Sequence, residues 1–242
     1  MTTRRNRFLN NEGVHLARGA IHGANVRNIF GLQTNIGDGY HPVWELAQDY
    51  VYPTQETTID VQTAATDTAT IKIIGLDVDY EEISEVVVLN GIIETDQTTT
   101  QEFFRVNDLI TIAGNCTGDV TLIETGGSNV LAKMSAGLGR NQAAIYTVPA
   151  GCEFHLTRLN GFTADTGSSP NERTAFFRNR VQLPSGVILR VAELAFHNSF
   201  TIIRTNPFMY SEKTDIQFQM RQAQANSNVE VSIFGEGILY KP

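Results

Sequence analysis

The chain has 242 residues, 41% of them hydrophobic, which is enough for a real core in one large or two modest domains. A formal charge of −8, and no apolar run near the roughly 18–20 residues that cross a bilayer, argue against broad nucleic-acid binding and against a membrane span. Cys116 and Cys152 make neither a disulfide framework nor a CxxC pair, so synthesis in a reducing cytosol is expected, with a single bridge between them left open.

Residues 1–50 read as an extended N-terminal docking arm. Arginines in "MTTRRNRFLNNEGVHLARG" are followed by no apolar stretch, so this start is not expected to be a signal peptide. "GAIHGANVRNIFGLQTNIGDGYHPVW" is rich in Gly and Asn and holds neither strand nor helix periodicity for long. Only "VWELAQDY" could make one or two helical turns, with Pro42 near their start. Residues 1–37 carry Arg4, Arg5, Arg7, Arg18 and Arg27 against Glu12, whereas residues 51–150 hold 14 acids against 4 bases. The basic arm therefore suits an acidic surface, on its own body or on a neighbour. Arg4, Arg5, Arg7, Phe8, Phe30, Tyr40 and Trp44 are its candidate docking residues.

Residues 51–144 read as a first β-sandwich. "TTIDVQTA", "TIKII", "SEVVVLNG", "EFFRV", "DLITIAG" and "DVTLIETGGSNVLAKM" are short β-branched runs closed by Gly, Asn or Asp, the last a hairpin with a glycine turn. Residues 145–242 read as a second antiparallel unit, a sandwich or jelly-roll-like domain. "AIYTVPAGCEFHLTRLNGF" is expected to be two strands around a tight Val-Pro-Ala-Gly turn, and the closing stretch pairs Ile216, Phe218 and Met220 with Val229, Val231 and Ile233. The fold class expected is all-β.

Four acids, Asp77, Asp79, Glu81 and Glu82, sit between the apolar runs of "IKIIGLDVDYEEISEVVVLNG". A calcium loop of the EF-hand type needs a glycine where Glu82 stands and a closing glutamate where Val88 stands. A polar hairpin turn is the simpler reading. His15 and His22 lie in a segment without helical pattern, His155 alternates within a strand, and His197 is too close in sequence to Ser199 for the usual nucleophile and base. The glycines of "GGSNVLAKMSAGLG" lack the phosphate-loop pattern and read as a loop. No catalytic, metal or cofactor residue is assigned. Most of the 13 Phe fall in strand patterns and are expected in the core, while Tyr40 and Trp44 could anchor a partner.

"IIGLDVDYEEISEVVVLNG", followed by "TDQTTTQEFFRVNDLITIAG", resembles a type of tailed-bacteriophage virion protein, as do "GLQTNIGDGYHPVWELAQDYVYP" and the closing half from "YTVPAGCEFHL". This sequence departs from that pattern at Val78 and Glu82. The resemblance implies a non-enzymatic structural component of the virion, made in the host cytoplasm. Its place would be capsid decoration or another head-attached position, with neck, tail or fibre-associated positions as the alternative. The partners implied are other virion proteins and further copies of itself, with no nucleic acid and no membrane. A receptor- or carbohydrate-binding module, taking a host-surface glycan, is the rival reading.

Overall fold

In a computed structural model that describes residues 21–46, 48–93, 97–165, 174–223 and 229–242, the apolar alternations become strands. In chain order these are β1 (Ala24–Gln33), β2 (His41–Pro42), β3 (Ile59–Thr63), β4 (Thr70–Leu76), β5 (Glu82–Val88), β6 (Gln97–Thr98), β7 (Arg105–Ala113) and β8 (Val120–Glu124). They continue as β9 (Val130–Met134), β10 (Ile145–Thr147), β11 (Glu153–Asp165), β12 (Thr174–Gln182), β13 (Ile188–His197), β14 (Ser199–Tyr210), β15 (Asp215–Gln222) and β16 (Val229–Tyr240). No helix occurs among the described residues, so the expected all-β class is what the chain has. The helical turn that "VWELAQDY" could make does not form among its described residues, which bend instead, and the Trp44 indole donates to the Gln48 carbonyl at 2.8 Å.

The strands form four small antiparallel sheets. The first runs β1-β16-β11-β14, and the second runs β10-β15-β12-β13 with β2 added to β15. The third runs β6-β3-β8-β9 and the fourth β5-β4-β7. One cluster of buried side chains draws on both of the first two sheets, with Ile29, Phe154, Leu156, Val231 and Ile233 from one and Phe177, Val181, Ile216, Phe218 and Met220 from the other. A second cluster draws on the third and fourth sheets, through Ile59, Val61, Val120 and Leu122 on one side and Ile71, Ile73 and Leu109 on the other. Burying an aromatic such as Phe154 or Phe218 stabilises by about 1.5–3 kcal/mol over leaving it in water.

The segment read as a docking arm is, from residue 24 onward, part of the fold. β1 pairs with β16 along its whole length, from Ala24↔Tyr240 to Gln33↔Val231. Trp44 is 1% exposed, packed with Tyr50 and Ile145 in a small third cluster. The physical reason is mutual need: β16 has a free hydrogen-bonding edge, and the apolar residues of the segment find burial on their own chain. Residues 1–20 lie outside the described residues, and with them Arg4, Arg5, Arg7 and Phe8.

Two expected pairings also resolve differently. β10 and β11 flank the Val-Pro-Ala-Gly stretch but belong to different sheets, so the chain crosses the core there rather than folding back beside itself. β15 and β16 likewise face each other across the core instead of hydrogen-bonding. Alternation tells which face of a strand is buried, and says nothing about which strand lies beside it.

The third and fourth sheets arise between two adjoining points of the larger pair. The Ala144 amide donates to the Val43 carbonyl at 2.8 Å, the Val43 amide to the Phe218 carbonyl at 3.0 Å, and the Phe218 amide to the Ala144 carbonyl at 3.0 Å. Chain exit and return are thus side by side on β15. Gly31 of β1 lies against this stem, where a Cβ would collide with the Val43 carbonyl and the Ala144 backbone.

Candidate functional site

The acidic stretch is the turn between β4 and β5, closed by the pair Leu76↔Glu82. Asp77 Oδ1 accepts from the amides of Asp79 (3.0 Å) and Glu81 (2.9 Å), and Tyr80 takes a left-handed backbone at φ 67°. Asp77 is therefore used up in holding the turn. Glu82 reaches back to Arg27 on β1 at 2.8 Å, and the Tyr80 carbonyl accepts from the Ala150 amide at 2.8 Å. Asp79 and Glu81 stay exposed. Among the described residues no three His, Cys, Asp or Glu side chains gather as a metal site would require.

The histidines are scattered. His41 pairs with Asp49 (2.9 Å), His155 with Glu153 (3.2 Å) and His197 with the Thr174 hydroxyl (3.2 Å), while His22 is exposed. His15 lies outside the described residues. Both cysteines are buried and free. Burial pushes the Cys152 thiol up, so it stays protonated at neutral pH and is a poor nucleophile. It lines a cleft of about 220 Å³ with Arg27, Glu81, Glu82 and Lys241, in which Arg27 and Glu82 already neutralise one another.

A buried polar joint ties the sheet pairs together. Arg105, on β7, meets Asp215, on β15, through two bonds, Nε to Oδ1 at 3.0 Å and Nη2 to Oδ2 at 3.2 Å. Arg105 Nη1 also donates to the carbonyls of Pro53 (3.1 Å) and Phe104 (2.8 Å), and the Thr147 hydroxyl donates to Asp215 at 2.6 Å. The guanidinium lies 4.0 Å from the Phe104 ring centre and 4.7 Å from that of Tyr52. Burial disfavours the Arg105 charge, yet the bonds to Asp215 outweigh it and hold the pKa above its usual value. Burial raises Tyr50 and Tyr52 far enough to keep both phenols neutral. With every member bonded or packed, this joint fastens rather than reacts.

The second prominent arrangement was not legible in the sequence. Phe176, Arg178, Arg180 and Gln182 alternate on β12, with Phe177, Asn179 and Val181 turned to the core. Register places Arg178 between Gln219 and Glu193, Arg180 between Gln217 and Arg190, and Phe176 beside Arg221. Four arginines thus share the outer face of one sheet with two carboxylates: Asp215, already taken by Arg105, and Glu193, which accepts from the Tyr40 hydroxyl at 2.8 Å. Arg178 stacks 4.1 Å over Tyr40, and Arg221 lies 4.0 Å over Phe176. Burial, then Arg190 alongside, draws the Arg178 pKa below its usual value. Arg180 and Arg190 meet no carboxylate at ion-pair distance among the described residues. Every second residue on three neighbouring strands was the signal, and it needs the register to be seen.

Of the sequence-derived docking residues within the described chain, Tyr40 joins this arginine face, Trp44 is internal, and Phe30 is 38% exposed on β1. The structure does not bring the three together.

No family model and no curated protein matches the chain. Among solved structures, the infectious bursal disease virus Gt strain is similar at 11% identity and a TM-score of 0.19, covering 90% of this chain and 72% of that one. The infectious bursal disease virus VP2 subviral particle is similar at 9% identity and a TM-score of 0.12, covering 92% and 82%.

Proposed function

We propose that the chain is a non-enzymatic structural component of a tailed-phage particle, a capsid decoration or head-attached protein. The observation that carries this reading is the strand order. The sheets β1-β16-β11-β14 and β10-β15-β12-β13 face one another, and the chain passes between them at β10–β11, β11–β12, β13–β14, β14–β15 and β15–β16. We read eight strands so interleaved as a jelly roll, an architecture used in viral shells and in lectins. The β3–β9 segment is then a second β-sandwich inserted in its first long connection. A fold alone does not name a function. The sequence resemblance to phage virion proteins selects the shell over the lectin.

The sugar-binding alternative has less support, because the outer-face aromatics Tyr40 and Phe176 are each covered by an arginine rather than open for stacking. The test is to purify the particles made from a genome that encodes this chain. The chain is expected among the particle proteins in many copies, with density for both sheet pairs in a cryo-EM map. Particles that lack it would end this reading.

A further inference from the structure

We infer that the arginine face of the β15-β12-β13 sheet is the docking surface for a second copy of this chain, whose acidic inserted unit it receives head to tail. This inference rests on the structural role proposed above and adds the partner and the contact.

Composition separates this face from a nucleic-acid surface. It uses Arg178, Arg180, Arg190 and Arg221 and no lysine, it includes Glu193, and it continues into an apolar strip. That strip is Val187 and Ile188, exposed by 50% and 53% where edge strand β13 begins, with Ile188 beside Gln182. Arginine beside aromatic and aliphatic side chains is the make-up of protein interface centres, whereas phosphate-binding surfaces gather lysine and arginine without an apolar centre. Uncompensated charge needs a partner, since Arg180 and Arg190 crowd one another across paired strands.

The partner of opposite charge is on the page. Residues 51–150 hold 14 acids against 4 bases, and the β4–β5 turn presents Asp79 and Glu81 to solvent. Position then makes the contact intermolecular. β1 touches β10 at one edge of the larger sheet pair, and β13 touches β14 at the other. The acidic turn is anchored at the first edge by Arg27–Glu82, and the arginine face ends at the second. Within one molecule, among the described residues, Asp79 and Glu81 make no ion pair with Arg180 or Arg190. A contact between these patches would join successive molecules in one direction, which builds a ring where the rotation closes and an open filament where it does not.

The test is sedimentation velocity on the full chain at roughly 50 and 500 mM salt. The wild type is expected to associate at low salt and to loosen at high salt. R180E/R190E and D79R/E81R should each weaken association by at least about tenfold while keeping the wild-type melting profile. An equimolar mixture of the two variants should recover growth, because native contacts and charge-reversed contacts then alternate along the assembly. The fourfold variant carrying both exchanges should regain growth. Association of R180E/R190E at the wild-type level overturns the inference, as does a wild type that stays monomeric at both salts. Loss of oligonucleotide binding without loss of self-association also overturns it, and makes nucleic acid the occupant. None of these outcomes alters whether the chain is found in particles, which tests the structural role separately.

Discussion

Asp67 accepts from the Thr117 amide (2.8 Å) and hydroxyl (2.7 Å), the Gly118 amide (2.9 Å) and the Thr63 hydroxyl (3.2 Å). Burial alone would raise its pKa, but these donors outweigh burial and bring it below the usual carboxylate value. A folded-state pKa below the unfolded one means that the carboxylate stabilises the fold above the ordinary range near 4, and that this is lost as pH falls through the lower, folded value. Asp67→Asn is expected to cost about 1–3 kcal/mol at neutral pH, because an amide N–H then faces backbone donors. The difference from wild type should shrink as both are titrated toward about pH 3, and urea unfolding at the two pH values measures it. Nothing marked Asp67 in the sequence, where it is one acid of many. Its worth comes from a turn fifty residues away.

At the scale of elements, β1 decides what the amino terminus is for. Removing residues 1–37 takes away the strand that covers β16 and also removes Ile29 and Ile36 from the core. Such a chain is expected to aggregate as an unfolded species, seen as lost near-ultraviolet dichroism and material in the void volume. A folded, soluble truncation would show instead that β1 is dispensable. The sequence hid this strand for a physical reason. Its inward positions are Ala24, Ile29, Gly31 and Gln33, too small or too polar to read as an apolar face, and Gly31 is there because the stem backbone leaves no room for a side chain. β3, β4 and β12, by contrast, alternate cleanly and were readable. The all-β class and the β4–β5 turn were therefore legible, whereas the partner of each strand was not. The arginine face escaped because its members are spaced over three strands.

For the whole molecule, the Arg105–Asp215 joint sets how far the two sheet pairs act as one. Arg105→Met leaves Asp215 buried without its counter-charge, and is expected to cost about 3–5 kcal/mol. Replacing both, with Met and Leu, should recover most of that loss. Calorimetry distinguishes the outcomes further. One cooperative transition is expected for the wild type, splitting into two when Arg105 is lost, since the remaining contacts between the pairs are then strained by an unpaired charge.

The pairing Ala24↔Tyr240 joins nearly the first described residue to nearly the last. On a translating ribosome, which adds about 5–20 residues per second, the opening strand must therefore wait on the order of ten seconds or more for its neighbour to emerge. The segment from β3 to β9 has its partners close behind it and can settle first. Nascent chains would thus carry a finished inserted unit beside an unclosed sheet until β16 emerges. On the docking proposed above, the arginine face of the late-closing half would form only once β15 has emerged, which would keep copies still being made from joining.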